Sequence, residues 1–222
     1  MRRKLVIAID GPAGAGKSTV SKILAKKLDY IYLDTGALYR ALAYKALKMK
    51  IQFEEPLALE NLCSDTEVVL KNVSGIIKVY VDSEDVEEKI RTEEIGLVAS
   101  KISTFAVVRK KLLDLQRKAG SQGGIIAEGR DMGSVVFPNA DYKFYLDASL
   151  EERTKRRHNE LMLKGTLVEN ESIRKDMLER DKQDKQRKIA PLKAPEGAII
   201  IDSDNMSIEQ VVDNIISNIS IK

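Results

Sequence analysis

Gly11-Pro12-Ala13-Gly14-Ala15-Gly16-Lys17-Ser18 brings glycines, a lysine and a hydroxyl together in eight consecutive residues. The spacing is G-x-x-x-x-G-K-[ST]. An apolar run, Leu5–Ile9, precedes it and a helical stretch, Thr19–Leu28, follows. In that setting the glycines let backbone N–H groups turn inward around phosphate oxygens, and the helix N-terminus adds its positive end. Lys17 supplies a full charge to the β- and γ-phosphates, and Ser18 offers a hydroxyl to Mg2+. The chemistry is nucleoside triphosphate binding; the pattern alone does not choose among GTPases, motors and small-molecule kinases. A GTPase also needs D-x-x-G and N-K-x-D. No glycine follows an aspartate by three residues, and Asp181-Lys182-Gln183-Asp184 lacks the asparagine.

Other side chains narrow the means of catalysis. Cys63 is the only cysteine and His158 the only histidine in 222 residues. An internal disulfide and a Cys/His zinc site are therefore excluded. Cys63 is expected to be a small buried residue and His158, in a charged helix, to be solvated. Catalysis falls to Lys, Arg, Asp, Glu, Ser, Thr or a bound metal.

The elements that must position these groups show as five apolar runs: Leu5–Ile9, Tyr30–Leu33, Gly124–Ala127, Tyr142–Leu146 and Ala198–Ile201. Continuous apolar runs predict strands covered on both faces, hence a parallel sheet between helical layers. An acid follows each run: Asp10, Asp34, Glu128, Asp147 and Asp202. Ligands in such sheets bind beyond the carboxyl ends of the strands, where these acids fall. Ser149-Leu150-Glu151-Glu152 and Ser207-Ile208-Glu209-Gln210 read as capping boxes opening helices, and Gly165 as a helix stop. Glu67–Lys71 and Ile76–Val81, joined at Asn72–Gly75, read as an antiparallel insertion. From Glu151 to Lys188 the chain is dense in charge.

Composition is that of a globular protein, 43% hydrophobic and 32% charged, with a net charge of +3. That charge is too mild to argue for nucleic acid, and aromatic residues at 5% without tryptophan leave few stacking platforms for it. No run reaches the roughly 20 apolar residues of a membrane span. The start Met1-Arg2-Arg3-Lys4 is basic, but the apolar stretch after it stops at Asp10, short of a secretory signal. A cytoplasmic location, no membrane and no nucleic-acid partner are expected.

Beyond the phosphate loop, further pieces fall in order along nearly the whole chain. They are Asp34-Thr35-Gly36-Ala37-Leu38-Tyr39-Arg40, Ile90-Arg91-Thr92-Glu93, Val107-Val108-Arg109, Glu128-Gly129-Arg130-Asp131 with Val135-Val136-Phe137-Pro138, and Glu179-Arg180-Asp181 with Asp184, Arg187 and Ala190-Pro191-Leu192. The set resembles the bacterial cytidylate kinases, of the nucleoside monophosphate kinase group. The resemblance implies the P-loop NTPase three-layer α/β fold: a five-stranded parallel sheet, an antiparallel NMP-binding insertion and a helical lid. It divides the chain into a core of about 1–38, 106–150 and 186–222, an insertion of about 39–105 and a lid of about 151–185. It implies γ-phosphoryl transfer from ATP to CMP, and to dCMP, in pyrimidine nucleotide metabolism, by a monomer with Mg2+.

Residue by residue, the resemblance implies that Gly11 through Thr19 bind ATP. Thr35, Tyr39, Arg40, Ser100, Arg109, Gly129, Arg130, Asp131, Arg180, Asp184 and Arg187 take CMP. Within that set Arg40, Arg130 and Arg187 would grip the acceptor phosphate with guanidinium forks. Ser100, Arg109 and Asp131 would read the cytosine edge, and Arg180 and Asp184 hold the ribose. Lys17, Arg130, Arg153 and Arg157 would stabilise the transferring group, and Glu128 orient a metal-bound water. By spacing alone, Arg180, Asp184 and Arg187 on one helical face read as a solvated ion-pair surface, and so do Arg153, Arg156 and Arg157. The chain departs from the family pattern at Glu128, where many members carry Asp, and at Gly197.

Overall fold

The structure, a computed structural model, describes residues 4–53, 55–163 and 165–219; the basic start at residues 1–3 lies outside these. In chain order the elements are β1 (Val6–Asp10), α1 (Lys17–Leu28), β2 (Ile31–Asp34), α2 (Thr35–Lys48), α3 (Pro56–Asp65), β3 (Val68–Val73), β4 (Ile76–Val81), β5 (Glu84–Asp85), α4 (Glu93–Ile102), α5 (Ala106–Gly120), β6 (Ile125–Gly129), β7 (Tyr142–Asp147), α6 (Leu150–Leu163), α7 (Asn170–Gln186), β8 (Ile199–Asp202) and α8 (Ile208–Asn218). A π-helical turn, Met132–Val136, links β6 to β7.

The five apolar runs become the parallel strands β2, β6, β1, β7 and β8, adjacent in that order. Their side chains serve two layers. On one face Ile7, Ile9, Ile126 and Phe144 pack with Val20 and Leu24 of α1 and Val212 and Ile215 of α8. On the other, Ala8, Leu33, Ile125 and Ala127 meet Val136 and Phe137 of the linking turn. Each fully buried large apolar side chain contributes roughly 1.5–3 kcal/mol, which is why uninterrupted apolar runs settle in the middle of the sheet.

The hairpin differs from expectation in one respect. β3 and β4 pair antiparallel, Val68 with Val81 through Val73 with Ile76, but they also extend the central sheet. β4 lies parallel to β2 through the pair Tyr32–Ile76, and the Tyr32 N–H donates to Gly75 O at 2.8 Å. The described strands therefore form one eight-stranded sheet, in which the antiparallel insertion continues the five parallel strands. Val79 and Val81 join a core with Leu38, Leu42, Leu59, Ile90 and Ile102, which draws the hairpin beside α2.

Both helix starts form, with one change. At Ser207 both arms of the capping box are present. At Ser149 only the forward arm is: its Oγ accepts from Glu152 N at 3.2 Å, while Ser149 N donates to Asp204 and Glu152 accepts from Arg156 Nε. Gly165, at φ +76°, follows α6 and its N–H donates to Met162 O. Cys63 is buried, and His158 is half-buried instead of solvated.

Candidate functional site

β1 ends in Asp10, and the chain must then reverse into α1 within six residues. Gly11 makes the turn possible: a Cβ there would lie 2.0 Å from Leu146 O of the adjacent strand. Gly16, at φ +90°, is the N-cap of α1 and leaves its first N–H groups free of side-chain caps. Such free N–H groups at a helix start suit an anion. Lys17 is 5% exposed and its Nζ donates to Pro12 O at 2.6 Å. Burial, with the guanidiniums of Arg130 and Arg180 against it, brings its pKa down to about 7, although Glu128 and Asp10 pull the other way.

The five strand-end acids divide in use. Asp10 accepts from Met132 N at 2.7 Å and Gly133 N at 2.8 Å, anchoring the linking turn. Its burial outweighs those bonds and lifts its pKa to about 6. Asp34 caps α2 through Ala37 N at 3.1 Å and receives Arg40 at 2.7 Å and Arg91 at 3.0 Å. Burial alone would raise it, but those two guanidiniums prevail and hold it at about 2. Asp147 and Asp202 accept from nearby backbone N–H groups, of Ala148 and Asp204. Glu128 is the acid that faces the phosphate loop. Its Oε1 accepts from Tyr32 Oη at 2.5 Å, and Ser18, in the first turn of α1, lines the same crevice as Glu128. Burial and the opposing Asp34 push Glu128 up, against Lys17, Ser18 and Tyr32.

Beyond the loop lies a crevice of about 840 Å3, walled by α2, α4, α6 and α7. It collects Ala13 through Thr19, Thr35, Tyr39, Arg40, Ser100, Arg109, Gly129, Arg130, Asp131, Arg157, Arg180, Asp184 and Arg187. The Arg180–Asp184–Arg187 face is turned inward, not solvated: Asp184 is 4% and Arg187 9% exposed. The arginines are held in pairs that cross long stretches of chain. Arg130 Nε donates to Asp184 at 2.8 Å, and Arg109 pairs with Asp131. Arg187 approaches Asp131 at 3.8 Å and Asp184 at 3.9 Å. Asp131 therefore engages Arg109 and Arg187, while Arg130 is braced by Asp184.

Several buried donors in this crevice have no hydrogen-bond partner: Arg40 Nε, Arg180 Nε, Arg187 Nη2 and Ser100 Oγ. Each such group costs about 1–3 kcal/mol, and together they suit a ligand with many acceptor atoms. Burial and the guanidiniums of Arg130, Arg40 and Arg157 push Arg180 below its ordinary value, with Asp184 opposing. Crowded cations of this kind focus polyanions.

Some expected residues take structural places. Thr35 is buried and its Oγ1 donates to Glu128 O at 2.7 Å. Arg153 is 5% exposed; Nε donates to Ala148 O, Nη1 to Ala13 O at 3.1 Å and Nη2 to Asp181 at 2.7 Å. With its nitrogens so engaged, it braces the phosphate loop against α7, whereas the family resemblance implies a phosphate-facing group and the spacing alone a solvated one. Its face of α6 packs on α7, so the i, i+3, i+4 spacing splits between a buried brace and two half-buried, paired arginines, Arg156 and Arg157. Arg157 lines the crevice and pairs with Glu93 of α4 and Glu160. Asp10, Tyr32, Arg91 and Asp181 are site supports absent from the sequence-level set. Tyr32 reads there as one more apolar residue of a strand, and the register that sets it diagonally from Glu128 is not visible in the sequence.

A strand, a phosphate loop and a helix on a mainly parallel sheet, facing a wall of buried arginines, define a P-loop phosphotransferase. The chain belongs to the cytidylate kinase family, whose sequence model matches residues 7–221. It is 47% identical over 209 residues to a cytidylate kinase of Citrifermentans bemidjiense, covering 94% of this chain and 90% of that one. It is 46% identical to a cytidylate kinase of a Geobacillus species, covering 97% and 96%. Among solved structures, an uncharacterized protein from Eubacterium ventriosum aligns with a TM-score of 0.52 at 13% identity, over 97% of this chain and 98% of that one. That likeness concerns the fold.

Proposed function

We propose that the protein transfers the γ-phosphoryl of ATP to CMP and dCMP, giving ADP and the cytidine diphosphates. Membership of the cytidylate kinase family supports the activity. The observation that carries the assignment of residues is the set of buried, unpartnered donors facing the phosphate loop across one crevice. The acceptor phosphate oxygen is already an anion, so no general base is needed. The obstacle is repulsion between two polyphosphates and the charge spread over the transferring group, answered by fixed cations and alignment. Lys17 and the loop N–H groups take the ATP phosphates. Arg40, Arg130 and Arg187 take the acceptor phosphate, Arg180 and Asp184 the ribose, and Ser100, Arg109 and Asp131 the base. Cytosine offers an amino donor beside two acceptors, which matches one carboxylate with cationic and hydroxyl donors.

Ser18 and the buried Glu128 form an oxygen-only pair of the kind Mg2+ accepts when phosphates supply its other ligands. Ser18 would hold the ion directly and Glu128 through a water; bound there, it neutralises charge on the phosphates. Residues 39–105 serve as the acceptor insertion and 151–185 as a lid that excludes competing water. Arg156 and Arg157 are the α6 arginines on the crevice side. No described helix is long and apolar enough to cross a membrane, and we assign the enzyme to the cytoplasm as a monomer. ATP with a panel of CMP, dCMP, UMP, AMP and non-nucleotide acceptors tests the reading. CMP and dCMP should lead; equal use of UMP would remove the base assignment.

A further inference from the structure

β2 and β6 lie in register, with Tyr32 opposite Ile126 and Asp34 opposite Glu128. Residues two apart share a face, so Tyr32, Asp34, Ile126 and Glu128 project together on the face where Tyr32 and Ile126 pack with α1. Two carboxylates directly opposite one another repel. The sheet resolves the conflict unequally. Asp34 is surrounded by Arg40, Arg91 and an N–H of its own helix. Glu128 receives a neutral donor, the Tyr32 hydroxyl.

The geometry of that donor is fixed. Tyr32 is 2% exposed, its ring sits in the core beside α1, and Lys22 Nζ lies 5.6 Å from the ring centre. Tyr32 does not line the crevice. Glutamate has one more rotatable bond than aspartate, and its carboxylate wanders unless something holds it. The rigid phenol holds Oε1, which leaves the rest of the carboxylate to the crevice that Glu128 and Ser18 both line. We propose that Tyr32 is a positioning residue for phosphoryl transfer: by pinning Glu128 it aims that carboxylate at Ser18, where nucleotide-bound Mg2+ is to be received. The inference rests on the phosphoryl-transfer reading and adds a residue to it.

Tyr32→Phe removes the oxygen and keeps the ring. The variant should fold, keep its KM for CMP within about twofold and lose about tenfold in kcat, the lower end for a partner that orients a metal-site ligand. A second readout needs no turnover. Mn2+ binding, followed by the free-ion resonance in the presence of a non-hydrolysable ATP analogue, should weaken by about tenfold. In a Glu128→Gln background, with no charge left to aim, adding Tyr32→Phe should change either quantity by less than about twofold. Lower thermal stability with unchanged kcat and unchanged Mn2+ affinity would overturn the proposal and leave Tyr32 a packing residue; so would full additivity with Glu128→Gln. Should wild-type protein fail to phosphorylate CMP, the functional reading falls, while the Mn2+ measurement still decides the role of Tyr32.

Discussion

In the proposed function the two walls of the crevice take the same chemical group by opposite means. The phosphate loop works through backbone shape: its donors are N–H groups fixed by glycine conformations, with Lys17 as the single side-chain cation. The acceptor wall works through side chains, Arg40, Arg109, Arg130 and Arg187, each set by a carboxylate, Arg40 by the cap of its own helix and the other three by distant residues. A backbone site is preorganised by its turn. A side-chain site is preorganised by its ion pairs, and every pair must be partly given up or shared when substrate arrives. The loop should therefore respond to mutation as an all-or-none device, and the wall should respond in proportion to which pair is broken.

The sharpest test of the loop is Lys17→Met. It should fold and lose at least 10²-fold in turnover, since removing one preorganised charge donor costs about 3 kcal/mol. Wild-type turnover would show that the loop does not serve catalysis. On the wall, Arg130→Met should raise the KM for CMP by roughly tenfold or more and leave ATP affinity within about twofold, as loss of a charge-assisted phosphate contact costs about 1.5–3 kcal/mol. Nucleotide titrations decide it; a large loss of ATP binding with unchanged KM for CMP would place Arg130 on the other substrate. Asp131→Ala should lower CMP efficiency more than UMP efficiency and narrow their ratio by about tenfold, because an unpartnered buried group rejects the wrong base. Asp131 also sets Arg109 and Arg187, so both efficiencies fall. A preserved ratio would limit it to bracing.

The smallest effect concerns protons. The Lys17 pKa is brought down to about 7 in the free protein, below its unfolded value of 10.5. Between those values the unfolded chain binds the extra proton, so this group makes stability rise with pH across that window. Triphosphate restores the charged form. Calorimetry in buffers of different ionisation enthalpy should find ATP binding taking up about one proton near pH 8 and close to none near pH 6. Equal uptake at both would mean that Lys17 is already charged in the empty loop, and the contrast between the walls would lose its electrostatic half.

This division also governs what the sequence discloses. The inner strands are legible because a strand covered on both faces needs apolar residues, as in Leu5–Ile9 and Gly124–Ala127; β8 closes the edge of the sheet and leaves Ile200 64% exposed. The phosphate loop is legible because its conformation needs glycine at fixed steps. The acceptor arginines are visible as residues, but their pairings are not: Arg130 and Asp184 stand 54 positions apart and Arg109 and Asp131 22, and nothing local in either marks the partner. Arg153 and Arg157 look alike on a helical wheel, and only the packing of α6 on α7 buries one as a brace and leaves the other facing the crevice. The attachment of the hairpin to the sheet is equally hidden, since it rests on a carbonyl, Gly75 O, that any residue could supply.

That attachment has a consequence in the time domain. Along β2 the amides alternate in direction: Ile31 N donates to Gly124 O at 2.8 Å, into the central sheet, and Tyr32 N donates to Gly75 O at 2.8 Å, into the hairpin. Two neighbouring amides of one strand thus report on different seams. Deuterium should enter at Tyr32 when the hairpin lifts from the edge of β2, while Ile31 waits for the central sheet itself to open. A rate at Tyr32 that slows when CMP binds, beside an unchanged rate at Ile31, would clock the swing of the acceptor-binding insertion from inside the sheet.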